Sequence, residues 1–174
     1  ACKAWTRPLP KNAASCNVAE EFNHQVEADI VFYLSAKIFH CIDRATRWHA
    51  AIIVDSKLAD DLTDALDTIW VGIHGPMKEF IMDGEKGLMR SAKAQQYFRK
   101  HGINCIPRAK GQHAVHIERR GGLLQLQLAR TDTQLQEEGI LKEIPLKYRL
   151  RDAVFAGNAL ITVNDTTPYN AVYG

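Results

Sequence analysis

The chain has little of what would fix its class at a glance. No apolar run approaches the ~20 residues that a membrane-spanning helix needs, and the first residues carry no signal-peptide core. The expectation is a soluble, intracellular protein with no membrane partner. Cysteine is sparse: Cys2, Cys16, Cys41 and Cys105 are scattered with no CxxC pair. A disulfide framework is thereby set aside in favour of a reducing compartment, with Cys41 and Cys105 read as small apolar strand residues. Net charge is nearly absent, with 22 Lys plus Arg against 20 Asp plus Glu. Total charge therefore announces no polyanion binder, and any basic site must come from clustering. Repeats and low-complexity tracts are lacking as well. What is present is 174 residues, 46 % hydrophobic and 24 % charged, the profile of one globular domain. A chain this long buries roughly 70 % of its unfolded surface and needs neither disulfide nor metal for a core.

The opening 1–22, with two prolines and no periodicity, reads as an extended lead-in, and residues 23–174 as the folded domain. Val26–Tyr33 is β-rich and mostly apolar, followed by further strands at Ile38–Ile42 and 50–54, a succession that suggests an antiparallel meander. The period then changes. Leu58, Leu62, Leu66, Ile69 and Ile73 recur at helical spacing opposite Asp60, Asp61, Asp64 and Asp67, with Ser56 placed to cap the start and Gly75-Pro76 to end it. A fourth strand is expected in EFIMD, a helix in SAKAQQYFRK, and a fifth strand at 103–106. A long helix is expected from His113 to Arg130, despite Gly121-Gly122, and a last one in YRLRDAVFAGNALITV. This order implies one mixed sheet covered by helices.

Asp29 is the residue that demands a chemical explanation, since it sits within an otherwise apolar strand and a buried carboxylate must be paired, hydrogen-bonded, protonated or metal-bound. Asp83 stands where a strand gives way to GEKG, the kind of strand end at which ligands bind in sheets with helical crossovers. Glu118 lies early on the long helix, with Ala114, Gly121, Gly122 and Gln125 forming a small, polar face beside it. Three converging carboxylates would repel each other unless cations intervened, and divalent magnesium with its preference for oxygen resolves that conflict. Two ions would suit in-line phosphoryl displacement. Spacing alone leaves a second reading open, with Asp29 paired to an arginine, Asp83 a turn residue and Glu118 a solvated helix position. Basic residues gather near the same places: Lys86, Arg90 and Lys93 after Asp83, and Arg108, Lys110, Arg119 and Arg120 around Glu118. They read as donors to backbone phosphates or as a solvated charged face. His113 and His116 are read as surface residues.

Five segments, in order, carry a resemblance. HQVEADIVFY, CIDRATRW, FIMDGEKGLMRS, GINCIPRAKGQHAVHIERR and TTPYNAVYG are together similar to the catalytic core of retroviral and long-terminal-repeat retrotransposon integrases, the gypsy-like branch in particular. The resemblance spans Asn23 to Gln125 and the closing segment. It implies an RNase H-like α/β fold, a five-stranded mixed sheet flanked by helices. It also implies a polynucleotidyl transferase whose Asp29, Asp83 and Glu118 are catalytic and hold two Mg²⁺ or Mn²⁺ ions. Lys86, Arg108, Lys110, Arg119 and Arg120 would contact DNA. Water would first attack a phosphodiester near the end of the element's DNA, and the freed 3′-hydroxyl would then attack target DNA. CIDRATRW corresponds to a structural landmark and Cys2 to a possible remnant of an N-terminal zinc module. The implied partners are element-end and target DNA and a second copy of the chain, with action in the nucleus. The rival expectations are a transposase or RNase H-type nuclease, which would share the fold and metals but differ in substrate, and a non-catalytic, domesticated core that dimerises or tethers DNA.

Overall fold

The computed structural model describes residues 21–83, 88, 91–108, 114–163 and 165–174. Residues 1–20 of the expected lead-in, with Cys2 and Cys16, lie outside the described residues, as do Lys86, Arg90, Lys110 and His113. Five strands form one sheet: β1 (Gln25–Tyr33), β2 (Ala36–Asp43), β3 (His49–Val54), β4 (Glu79–Asp83) and β5 (Asn104–Arg108), in the order β3-β2-β1-β4-β5. β1, β2 and β3 pair antiparallel, whereas β4 runs parallel to both β1 and β5. The sheet is therefore mixed, as the element order implied, and β1 lies at its centre.

Alternation along β1 divides the core. Val26, Ala28 and Ile30 enter a large apolar cluster with Phe39, Phe80, Leu62, Leu66 and Trp70. That cluster lies beneath α1 (Ala59–Leu66) and α3 (Ala92–His101). Val31 and Tyr33 turn to the opposite face, where Ile38, Leu124, Leu128, Leu150 and Ala153 pack. The helices on that side are α4 (Val115–Glu137) and α5 (Leu146–Leu160). Asp132 ties these elements together, paired with Arg149 of α5 and accepting a hydrogen bond from the Tyr33 hydroxyl at 2.9 Å.

Local chemistry sets most of the ends. Ser91 Oγ accepts from Ala94 N, and Gly102 in the left-handed region (φ 66°) ends α3, a conformation glycine adopts without steric cost. The helix begun by α1 continues through a π-helical turn, Asp67–Val71, into α2 (Gly72–His74), and Gly75 (φ 77°) stops it. Ser56 does not cap it as expected. Its hydroxyl instead accepts from Leu58 N at 2.9 Å and donates to Asp61 Oδ2 at 2.5 Å, so the cap position falls on the extended Leu58. α4 runs seven residues past the expected Arg130, and α5 stops at Leu160 rather than reaching Val163. A short α6 (Pro168–Tyr173), not anticipated, begins where Thr167 Oγ1 accepts from Asn170 N with Pro168 in the first turn.

The β2–β3 turn is built by Asp43, which is fully buried and accepts from Thr46 N (2.7 Å), Thr46 Oγ1 (2.8 Å) and Asn23 N (3.0 Å). Burial raises its carboxyl pKa while these donors oppose the shift. CIDRATRW thus holds a turn together.

Candidate active site

Asp29 and Asp83 stand on neighbouring strands of the sheet. β1 and β4 pair Gln25 with Glu79, Val26 with Phe80 and Glu27 with Ile81, and Asp29 and Asp83 each stand two residues beyond the last of these pairs on their own strand. On the far side of β4, Asp83 pairs with Arg108. Asp29 is partly buried, and its Oδ1 accepts from Ile30 N at 2.8 Å. The side chain of Asp83 lies outside the described residues.

The helix carrying Glu118 crosses β1 and β2 at close range. A Cβ on Gly121 would stand 2.8 Å from Val31 Cγ1 and 3.2 Å from His40 Cε1, and His40 is the cross-strand partner of Asp29. Only a residue without a side chain permits that approach. Ala114 and Ile117 then seat the first turn of α4 on Ile42 at the end of β2. Glu118 sits in that first turn, exposed, where an acid also complements the helix dipole. The small face expected to admit a ligand at Gly121 admits the sheet instead, while Gly122 faces open space. Gln125, one turn on, donates from Nε2 to Phe32 O at 2.8 Å. Among the described residues no three His, Cys, Asp or Glu side chains gather as a metal-binding group.

The basic residues divide. Arg119 is exposed and Arg108 half-buried, with its Nη2 unpartnered among the described residues. Arg120 corrects an expectation. Read from sequence as a phosphate donor, it is 6 % exposed, and its Nη2 donates to Asn158 Oδ1 at 3.1 Å. Burial lowers its pKa to about 10. The physical reason is its place in the stripe Ile117, Arg120, Gly121, Leu124, Leu128 that α4 turns inward.

Two other arginines, absent from the sequence-based site, belong to the surroundings. Arg44 pairs with the buried Glu27 at 3.2 Å, and Arg47 Nη1 donates to Arg44 O at 2.5 Å. With Arg119 they surround His116, whose pKa falls to about 4 through burial first and then the fields of Arg47, Arg44 and Arg119. His116 is half-buried rather than a surface residue. The repeated arginines of DRATR were the signal for this cluster. Beneath the site, His40 and His49 are buried with Nδ1 of the first 3.1 Å from Nε2 of the second, so one ring donates and the other accepts. Burial drives both pKa values down, that of His40 to about 4. Cys41 is fully buried with its thiol pKa pushed up, and burial raises that of Cys105 to about 12, so neither is disposed to act as a thiolate.

Solved structures share this fold. The chain superposes on one chain of the simian T-cell lymphotropic virus intasome, solved in complex with PP2A regulatory subunit B56 gamma, with a TM-score of 0.81 over 99 % of its length at 15 % identity. It spans 62 % of that viral chain. The HTLV-2 integrase catalytic core domain in complex with magnesium (trimeric form) gives 0.71 at 15 % identity, covering 86 % of this chain and 95 % of the other. The BIV integrase catalytic core gives 0.70 at 14 % identity, covering 85 % and 92 %. The fold is that of a retroviral integrase catalytic core. At these identities the likeness establishes the integrase-core fold, RNase H-like with five strands. No family model matches the sequence, and no curated protein does. Among the described residues no helix is long and apolar enough to cross a membrane.

Proposed function

We propose that this chain is the catalytic core of a retroelement integrase, of the gypsy-like branch that its sequence resembles, with Asp29, Asp83 and Glu118 as its catalytic acids. The observation that supports the reading is that Asp29 and Asp83 lie on the adjacent parallel strands β1 and β4 of this fold, each two residues past the pair Glu27–Ile81, with Glu118 in the first turn of the helix that crosses β1. Three oxygen donors of one sign suit a hard divalent cation. Asp29 would share one ion with Asp83 and a second with Glu118, and the HTLV-2 core, described in complex with magnesium, offers a precedent. Bound Mg²⁺ or Mn²⁺ would supply Lewis-acid activation of the attacking oxygen and neutralise charge on the leaving one.

The protein's own part is positioning. Arg119, with Arg108, Lys86 and Lys110, would hold backbone phosphates of element-end and target DNA so that the incoming oxygen lies in line with the bond to be broken. In the first step water displaces the 3′-oxygen of a phosphodiester near the DNA end. In the second, the freed 3′-hydroxyl displaces the corresponding oxygen in the target strand, so one P–O bond forms as another breaks. No covalent protein intermediate is involved. A second copy is the expected protein partner, with Phe155, Leu160, Tyr169 and Tyr173 of α5 and α6 exposed to meet it, and the site of action would be the nucleus.

Mn²⁺-dependent strand transfer on a branched DNA that mimics the integration intermediate tests the reading, with Asp29→Asn alongside. Transfer that disappears in the variant supports it. A folded chain that neither binds Mn²⁺ nor transfers a strand would instead mark a non-catalytic core that dimerises or tethers DNA.

A further inference from the structure

Behind the acids, on the α4/α5 face of the sheet, runs a buried polar chain. Asn158 of α5 lies against the open edge of β3 as a further strand would: its Oδ1 accepts from His49 N at 3.0 Å and its Nδ2 donates to His49 O at 2.8 Å. The same Oδ1 takes the hydrogen bond from Arg120 of α4. From His49 the chain continues to His40, which stands opposite Asp29 on β2 and touches α4 at Gly121. α5 is shaped to receive the guanidinium, because a Cβ at Gly157 would lie 2.5 Å from Arg120 Nη2.

A buried cation on a neutral amide is a poor source of stability. Desolvating a guanidinium costs far more than one hydrogen bond to an amide returns, and an apolar side chain of equal volume would hold the fold as well or better. Arg120 makes no ion pair among the described residues. What an apolar side chain would not do is fix direction. The guanidinium locks the second turn of α4 to a backbone position on β3, and Glu118 sits two residues before it.

The structure assigns Arg120 as a positioning residue that, through Asn158 and the backbone of His49, holds the first turns of α4 on the sheet and thereby sets where Glu118 is presented. The clause about Glu118 rests on the integrase reading above, whereas the anchoring of α4 does not. Arg120→Met keeps the bulk and removes the donors, and Arg120→Lys keeps the charge and removes the fork. Amide hydrogen exchange of the metal-free protein is expected to be about tenfold faster across residues 117–124 in both variants, with α1 on the opposite face unchanged. The Mn²⁺ concentration giving half-maximal thermal stabilisation is expected to rise about tenfold, as when a group supporting a metal ligand is lost. A purely structural role would let the Met variant match the parent in metal dependence. Unchanged exchange at 117–124, or a half-saturating Mn²⁺ concentration that stays level or falls, overturns the assignment, as does failure of both variants to fold. If the parent itself binds no Mn²⁺, the integrase reading falls and the exchange experiment still decides the role of Arg120.

Discussion

On the α1/α3 face of the sheet, Phe39, Phe80, Leu62, Leu66 and Trp70 exclude water almost wholly with hydrocarbon, and the Trp70 indole N–H finds Asn23 Oδ1 at 2.8 Å. On the α4/α5 face, His40, His49, Arg120 and Asn158 lie buried beside Ile38, Leu124 and Leu128. The first arrangement gains from every apolar side chain it covers, roughly 1.5–3 kcal/mol apiece. The second spends part of that gain on groups whose burial is costly. The proposed acids Asp29 and Glu118 lie on the central strand and on α4, so on the proposed reading the costlier face is also the one that sets the geometry of the site.

Substitutions that separate the two faces sharpen that division. The largest effect is expected from Asp83→Asn or Glu118→Gln, which should reduce metal-dependent strand transfer by roughly 10⁴-fold or more, while the metal-free thermal midpoint stays put. Activity measured together with calorimetry checks this, and a variant that loses both would blur the division. Next comes Phe80→Ala. Phe80 is fully buried and stacked on Phe98 with ring centroids 5.5 Å apart, so about 3–5 kcal/mol of unfolding free energy should go. Denaturant titration gives the number, and the half-saturating Mn²⁺ concentration should not move.

The same division explains what could be read in advance. The apolar face was legible because hydrocarbon periodicity is most of its content: EFIMD is β4 to the residue, and the helix expected in SAKAQQYFRK is α3 to within one residue at each end. Asp29 stood out as an acid in an apolar strand. Arg120 did not, although its spacing from Ile117 and Leu124 puts it on the inward stripe. Residue type argued for solvent, and only the crossing of α4 over β2 and the cleft at Gly157 reverse that argument. Asn158 was equally silent, because pairing with the edge of β3 depends on a contact 109 positions apart in sequence. α6 is one short turn whose aromatic residues pack on Trp48 and Phe155, and no periodicity of its own announces it.

Acid should distinguish the faces as well. His40 and His49 are held neutral, with folded pKa values below the ordinary histidine value. The unfolded chain therefore binds protons that the folded one refuses, and the stability in question is complete above about pH 6.5 and is lost as pH falls toward about 4. The loss should reach a few kcal/mol. His40→Gln with His49→Gln should flatten that stretch of the stability profile, read by denaturant titration at several pH values, whereas Phe80→Ala should lower the curve without changing its slope.

The smallest effects come from two adjacent glycines that a sequence treats alike. Both lie in the interior of α4, where glycine costs a helix about 1 kcal/mol relative to alanine. At Gly122 nothing stands within 4 Å of an added Cβ, so Gly122→Ala is expected to stabilise by about 0.5–1 kcal/mol through lower unfolded-chain entropy and better helix propensity. At Gly121 the added methyl would meet Val31 and His40 at the crossing over β1 and β2. Relieving that clash means lifting the helix, and Gly121→Ala should destabilise by about 1–3 kcal/mol. If Asp29 and Glu118 share an ion as proposed, the same lift should also weaken Mn²⁺ binding. Opposite signs at neighbouring positions would locate the crossing to one residue, and two gains of equal size would show that α4 does not approach the sheet as closely as the site requires.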